Sequence, residues 1–152
     1  MKQGPGLRLD MRRDLSAPPS RVFRALTEPG ELARWWGPDG FQIPSIESDL
    51  RPGGGYRIAM QPPDGALFYL AGEFRELDPP RLVSYTFRWE DPNPEDRETL
   101  VTLSLREIGG GSTELALDQG DFATERRRAL HEQGWTQSLN HLEQLMAAPT
   151  SP

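Results

Sequence analysis

TERRRALHEQGWTQSLNHLEQLM, Thr124 to Met146, carries a helical pattern from end to end. Trp135, Leu139, Leu142 and Met146 recur at steps of four and three, so they share one face, with Leu145 beside them. Thr124 stands where an N-cap belongs. Arg127 occupies the third position, where an acid would complete a capping box. A long helix with one apolar stripe needs a partner layer to bury it.

That layer lies upstream. From Phe41 to Gln119 the chain reads as strands and turns. Tyr56, Ile58 and Met60 alternate after Arg51-Pro52-Gly53-Gly54-Gly55; Phe68, Leu70 and Phe74 form a second set, with Gly72 on their face. Asp78-Pro79-Pro80 turns the chain, and Val83, Tyr85, Phe87 and Trp89 then alternate with Ser84, Thr86 and Arg88. A polar loop, Glu90 to Arg97, leads to Val101, Leu103 and Leu105; Gly109-Gly110-Gly111 marks a hairpin returning through Leu115 and Leu117. Such a succession predicts an antiparallel meander with one buried and one wet face.

Before it, Leu7, Leu9 and Met11 alternate as a strand. Ser20 to Leu26, with Ser20 as cap, and Gly30 to Trp36 read as two short helices. The order predicts an α+β helix-grip fold: a curved antiparallel sheet of about six or seven strands wrapped around the long C-terminal helix, the short helices plugging one end. The 152 residues suit one domain, burying roughly 70% of the surface of the unfolded chain. Its ordered core is expected over about 7–146, with 147–152 as a disordered tail.

Composition narrows the chemistry. Cysteine is absent, which excludes disulfides, thiolate metal sites and cysteine nucleophiles and fits a reducing, cytoplasmic setting. No stretch is apolar enough for a signal peptide or membrane span. A formal charge of −6 argues against nucleic acid. The basic run Arg126-Arg127-Arg128 reads as a solvated helix start, with an anion or partner contact as the alternative. Lys2 is the sole lysine, at the terminus, which removes Schiff-base chemistry and the lysine of a phosphate loop together. The glycines after Arg51 precede a strand rather than a helix, so they form a turn and not a phosphate cradle. His131-Glu132 begins a zinc-peptidase pattern, but Trp135 stands where the second histidine belongs. His141 lies ~15 Å along the helix and ~80° around from His131. No metal and no cofactor is expected.

The strongest signal is aromatic. Tyr56, Phe68, Phe74, Tyr85, Phe87, Trp89 and Trp135 all fall on predicted inward positions, and rigid rings suit the wall of an apolar pocket. Of Trp35-Trp36, one should pack beneath the sheet edge and the other lie at the cavity mouth, since neighbours on a helix point about 100° apart. With Trp36, Met60 and Leu139 added and His131 as a polar contact, these residues are the candidate ligand-binding set. Glu47 and Asp49 share the parity of Phe41 and Ile43, which would turn them inward as candidate acids or bases; His141 is expected to face solvent.

The chain also resembles the START-like (SRPBCC) superfamily, in the branch of the activator of the 90-kDa heat-shock protein ATPase. The resemblance is carried by Ser16-Ala17-Pro18, Val22-Phe23, Trp35-Trp36-Gly37-Pro38, Asp49-Leu50-Arg51-Pro52-Gly53-Gly54, Gly72-Glu73-Phe74, Asp78-Pro79-Pro80-Arg81-Leu82, Gly134-Trp135 and Leu139. It implies the same fold and a cavity between sheet and helix, on a scaffold that serves carriers, binders, cyclases and chaperone regulators. The first reading is a non-catalytic binder of a small hydrophobic or aromatic molecule. A cyclase, hydratase or hydrolase using the same cavity and a chaperone-regulating interaction domain stand as alternatives; no motif supports a protein partner or homodimer.

Overall fold

The computed structural model describes residues 7–148. Strand β1 spans Leu7–Leu15, followed by the short helices α1, Pro19–Thr27, and α2, Pro29–Leu32. Strands β2 (Ile46–Ser48), β3 (Gly55–Met60), β4 (Phe68–Asp78), β5 (Leu82–Trp89), β6 (Thr99–Gly109) and β7 (Ser112–Phe122) come next, and the long helix α3, Glu125–Ala147, closes the order. All seven strands join one antiparallel sheet in the order β1-β7-β6-β5-β4-β3-β2. This is the expected helix-grip arrangement.

The meander follows from turn chemistry. Gly109, Gly110 and Gly111 all have positive φ (99°, 62° and 76°), which side-chain-bearing residues adopt at a cost, so β6 returns tightly as β7. Gly72 is required for another reason. A Cβ there would stand 2.0 Å from the Thr86 carbonyl oxygen, so β4 and β5 approach too closely for any side chain. The pairing of these strands shifts register between Phe74 and Glu76, a bulge that bends β4.

The inner face and α3 share the core. Leu9, Leu70, Val101, Leu115 and Leu117 from the sheet and Leu139 and Leu142 from α3 are almost wholly inaccessible. Trp135 and Met146 complete the predicted stripe. Thr124 Oγ1 accepts from the Arg127 amide at 3.1 Å, so the cap forms without an acid at the third position.

Three local expectations change. Ser20 does not cap α1: the helix begins at Pro19, and Pro18 precedes it without a side-chain cap, because proline at the first helical turn needs no partner for a missing N–H. The second helix closes after Leu32 and is followed by turns through Trp35. Ser84 and Thr86, placed on the wet face by alternation, are buried; the Thr86 hydroxyl accepts from the Glu73 amide at the bulge. At the C-terminus, α3 runs through Ala147 and Ala148 caps it; the other residues of the expected tail, 149–152, lie outside the described residues, as does Lys2.

Candidate functional site

The sheet curves away from the N-terminal half of α3 and leaves a cavity of about 530 Å³ between them. Phe68 and Trp89 stand edge to face at 5.5 Å, and Phe87 and Trp89 at 5.2 Å; together they form the sheet-side wall. Trp36 and Trp135, perpendicular at 5.3 Å, form the inner end, with Met60 and Phe41 alongside. His131, Gly134 and Ser138 face it from α3. At the mouth stand Asp91, Asn93, Asp96 and Arg127.

Of the residues singled out from sequence, Trp36, Met60, Phe68, Phe87, Trp89, His131 and Trp135 line this cavity. Tyr56, Phe74 and Tyr85 do not. They pack on one another at 5.3–6.1 Å in a separate cluster nearer α1, around a void of only about 20 Å³. The Tyr56 hydroxyl is committed as a donor to the Thr86 carbonyl at 2.6 Å, and burial pushes both tyrosines far above the ordinary phenol range. Leu139 is buried in the core beneath.

The tryptophans divide between core and cavity, although both stand beyond the end of α2 rather than in a helix, and Trp36 is at the inner end of the cavity instead of its mouth. Trp35 is 1% exposed and donates its indole N–H to the Ala25 carbonyl at 2.9 Å, while Trp36 turns to the cavity. Trp135 donates to Gln119 Oε1 at 2.7 Å, and Gln119 passes the chain on to Thr99 Oγ1 at 2.8 Å, so this buried amide is satisfied at both ends.

His131 is held by its surroundings. Trp89 Nε1–H donates to His131 Nε2 at 3.1 Å, which makes Nε2 the acceptor and Nδ1 the protonated nitrogen; Nδ1–H donates to the Arg127 carbonyl at 2.8 Å. Phe87, Trp89 and Phe122 surround the ring. Burial lowers its pKa below 6.5, the Arg127 charge acts the same way, and the Arg127 carbonyl bond and Asp96 oppose the shift. Between the folded and unfolded pKa values the unfolded chain binds the proton more readily. Stability from this site is therefore complete above about pH 6.5 and falls as pH drops through that window. Between about pH 7 and about pH 5, wild type should lose more unfolding free energy than His131→Phe, which cannot titrate. Parallel urea-denaturation curves for the two proteins would refute the assignment.

The carboxylates expected to face inward do not. Glu47 and Asp49 are exposed, while Ile46 and Ser48 point to the small aromatic cluster. Pro44 breaks the extended run after the single Gln42–Gln61 bridge, so the parity of Phe41 and Ile43 is not carried into β2. His141 is half-buried rather than solvent-facing: its Nε2 lies 2.6 Å from Asp39 Oδ1 and its Nδ1 3.3 Å from the Trp35 carbonyl.

Ser138 and Asp96 were not singled out from sequence, Gly134 stood only within a motif, and Arg127, read as part of a solvated helix start, is instead largely buried against Asp96. Arg127, His131, Gly134 and Ser138 follow one another at steps of four, three and four, a second stripe beside the apolar one, and that spacing would have found them. Asp96 comes from the loop after β5 and pairs with Arg127 Nε at 2.8 Å, a long-range contact that no local pattern announces. Among the described residues no group of three or more His, Asp or Glu is placed to hold a metal ion.

A family model described as activator of Hsp90 ATPase homolog 1-like protein matches residues 16–147. The chain belongs to this family. Crystal structures of its relatives have the same fold. A protein of Chromobacterium violaceum is 30% identical, with a TM-score of 0.80 over 93% of this chain and 98% of that one. One from Rhodobacter sphaeroides is also 30% identical, with a TM-score of 0.80 over 97% and 99%. An AHSA1 protein of Silicibacter pomeroyi is 28% identical, with a TM-score of 0.79 over 92% and 97%. No curated protein matches by sequence. The activator-like fold supports a ligand-binding domain in general, for a small molecule or a protein. No helix among the described residues is long and apolar enough to cross a membrane.

Proposed function

We propose that this protein binds a small, mainly apolar or aromatic molecule in the cavity between the sheet and α3, without transforming it. The observation that carries this reading is the cavity itself. About 530 Å³ remain open between aromatic walls, within the range of small-molecule sites, whereas the rings of the neighbouring cluster close on one another. Gly134 supports it. Glycine inside a helix costs about 1 kcal/mol relative to alanine, and here a Cβ would meet nothing nearer than Pro38 at 4.0 Å, so packing does not demand it.

The chemistry of the lining favours binding over turnover. His131 has both ring nitrogens engaged by the protein, and a general base needs a free one. Glu47 and Asp49 stand outside the cavity. The lack of cysteine fits a cytoplasmic setting.

A thermal-shift panel of fatty acids, sterols, polyketide-like aromatics and flavonoids tests the reading. A ligand at a hundredfold excess over its Kd stabilises the native state by about 2.7 kcal/mol, which raises the midpoint visibly. No shift for any class would count against small-molecule binding and leave the protein-interaction role as the better account.

A further inference from the structure

Two polar groups that line the inner end of the cavity, on Trp36 and Ser138, are donors without acceptors among the described residues. The indole N–H groups of Trp35, Trp89 and Trp135 are each bonded, to the Ala25 carbonyl, to His131 Nε2 and to Gln119 Oε1. Trp36 is 8% exposed and lines the cavity, yet its Nε1–H finds no acceptor among the described residues. Ser138, 5% exposed, is in the same position. Its Oγ accepts from the Gly37 amide at 3.0 Å, but its own proton has no acceptor among the described residues. Hydroxyls elsewhere in the helices do find one: Thr136 donates to the Glu132 carbonyl and Thr27 to that of Phe23. At the mouth, Arg127 is engaged through Nε with Asp96, while its Nη groups have no acceptor among the described residues.

The acceptors beside Trp36 and Ser138 are already taken, while Asp91 and Gln133, which also line the cavity, have no side-chain partner among the described residues. His131 Nε2 receives Trp89, Gln119 Oε1 receives Trp135, and Gln137 Oε1 receives the Asp39 amide. A donor that opens onto the cavity loses its access to water when an apolar ligand enters, and leaving it unpaired then costs about 1–3 kcal/mol, which a ligand oxygen that accepts from it avoids. Net charge at the mouth limits the ligand further. Arg127 is neutralised by Asp96 at 2.8 Å, and Asp91 adds a second carboxylate that repels an anion. An ammonium group would leave the Trp36 and Ser138 donors unsatisfied and place its own hydrogens against them.

We infer that the cavity is built for a neutral aromatic molecule carrying a hydrogen-bond acceptor, a ketone- or quinone-like oxygen, which receives the Trp36 and Ser138 protons at the inner end. The inference rests on the ligand-binding reading above and specifies its ligand class.

Four probes of one shape test it by isothermal titration: 2-acetylnaphthalene, 2-ethylnaphthalene, 2-naphthoate and 1-(2-naphthyl)ethylammonium. The ketone should bind about tenfold tighter than the hydrocarbon, equivalent to about 1.4 kcal/mol, with the carboxylate and the ammonium weaker than the ketone. Ser138→Ala and Trp36→Phe should each bring the ketone down towards the hydrocarbon's affinity in the same variant, so the ratio of the two affinities reads the lost donor, whereas general loss of packing would weaken both probes together. Equal binding of ketone and hydrocarbon, or tightest binding of either charged probe, would overturn the donor-matched ligand while sparing the cavity's role. Failure of all four to bind would overturn both.

Discussion

Gly134→Phe is expected to abolish ligand uptake, with a loss of at least tenfold in affinity, while the protein remains as stable as wild type. Gly134 lines the cavity from the middle of α3, and a Cβ there meets only Pro38 Cγ, at 4.0 Å. A larger side chain grows into the void rather than into packed neighbours. It also removes the conformational penalty of glycine in a helix, about 1 kcal/mol. Gly134→Ala separates the two effects: it should raise the unfolding free energy by about 0.5–1 kcal/mol with little change in binding. The measurement pairs urea denaturation with titration of whichever ligand the thermal screen yields. Undiminished binding by the phenylalanine variant would place the ligand elsewhere.

Trp135→Ala should have the largest effect on stability, a loss of about 3–5 kcal/mol. The indole is buried between Trp36 and the sheet, and its N–H is the donor that satisfies Gln119 Oε1, in a side chain with no measurable exposure. Truncation both opens a hole and strands an acceptor. Trp135→Phe keeps a ring and removes only the donor, so its cost should be nearer 1–3 kcal/mol. Equilibrium urea unfolding reads both. If the two variants cost the same, the hydrogen bond carries the effect and the packing argument fails.

The fold was legible because its two periodicities are clean. The stripe from Trp135 to Met146 and the alternation of Val83, Tyr85 and Phe87 required a long helix against a half-buried sheet, and the glycine and proline turns supplied the hairpins. The site was legible only in part. Alternation tells which way Tyr56, Phe68, Tyr85 and Phe87 point, but not whether a ring meets another ring or a void. That is decided by sheet curvature, set here by the Gly72 contact and the adjoining bulge, and it divides the inner face into a closed cluster and an open cavity. The inward placement of Glu47 failed for a local reason, since Pro44 resets the parity. The Asp96–Arg127 pair was invisible because it joins a loop to a helix far along the chain.

The segment after Trp36 belongs to no strand beyond the single Gln42 bridge, and yet its amides are not left to water. The Gly37 N–H is accepted by Ser138 and the Asp39 N–H by Gln137, while His141 holds the Asp39 carboxylate. These bonds join a surface loop to side chains of α3, so neither amide can exchange with deuterium until the helix lifts or those side chains swing away. Gly37 and Asp39 thus serve as native reporters. Their exchange rates would follow the docking of the C-terminal helix rather than the mobility usual for a loop.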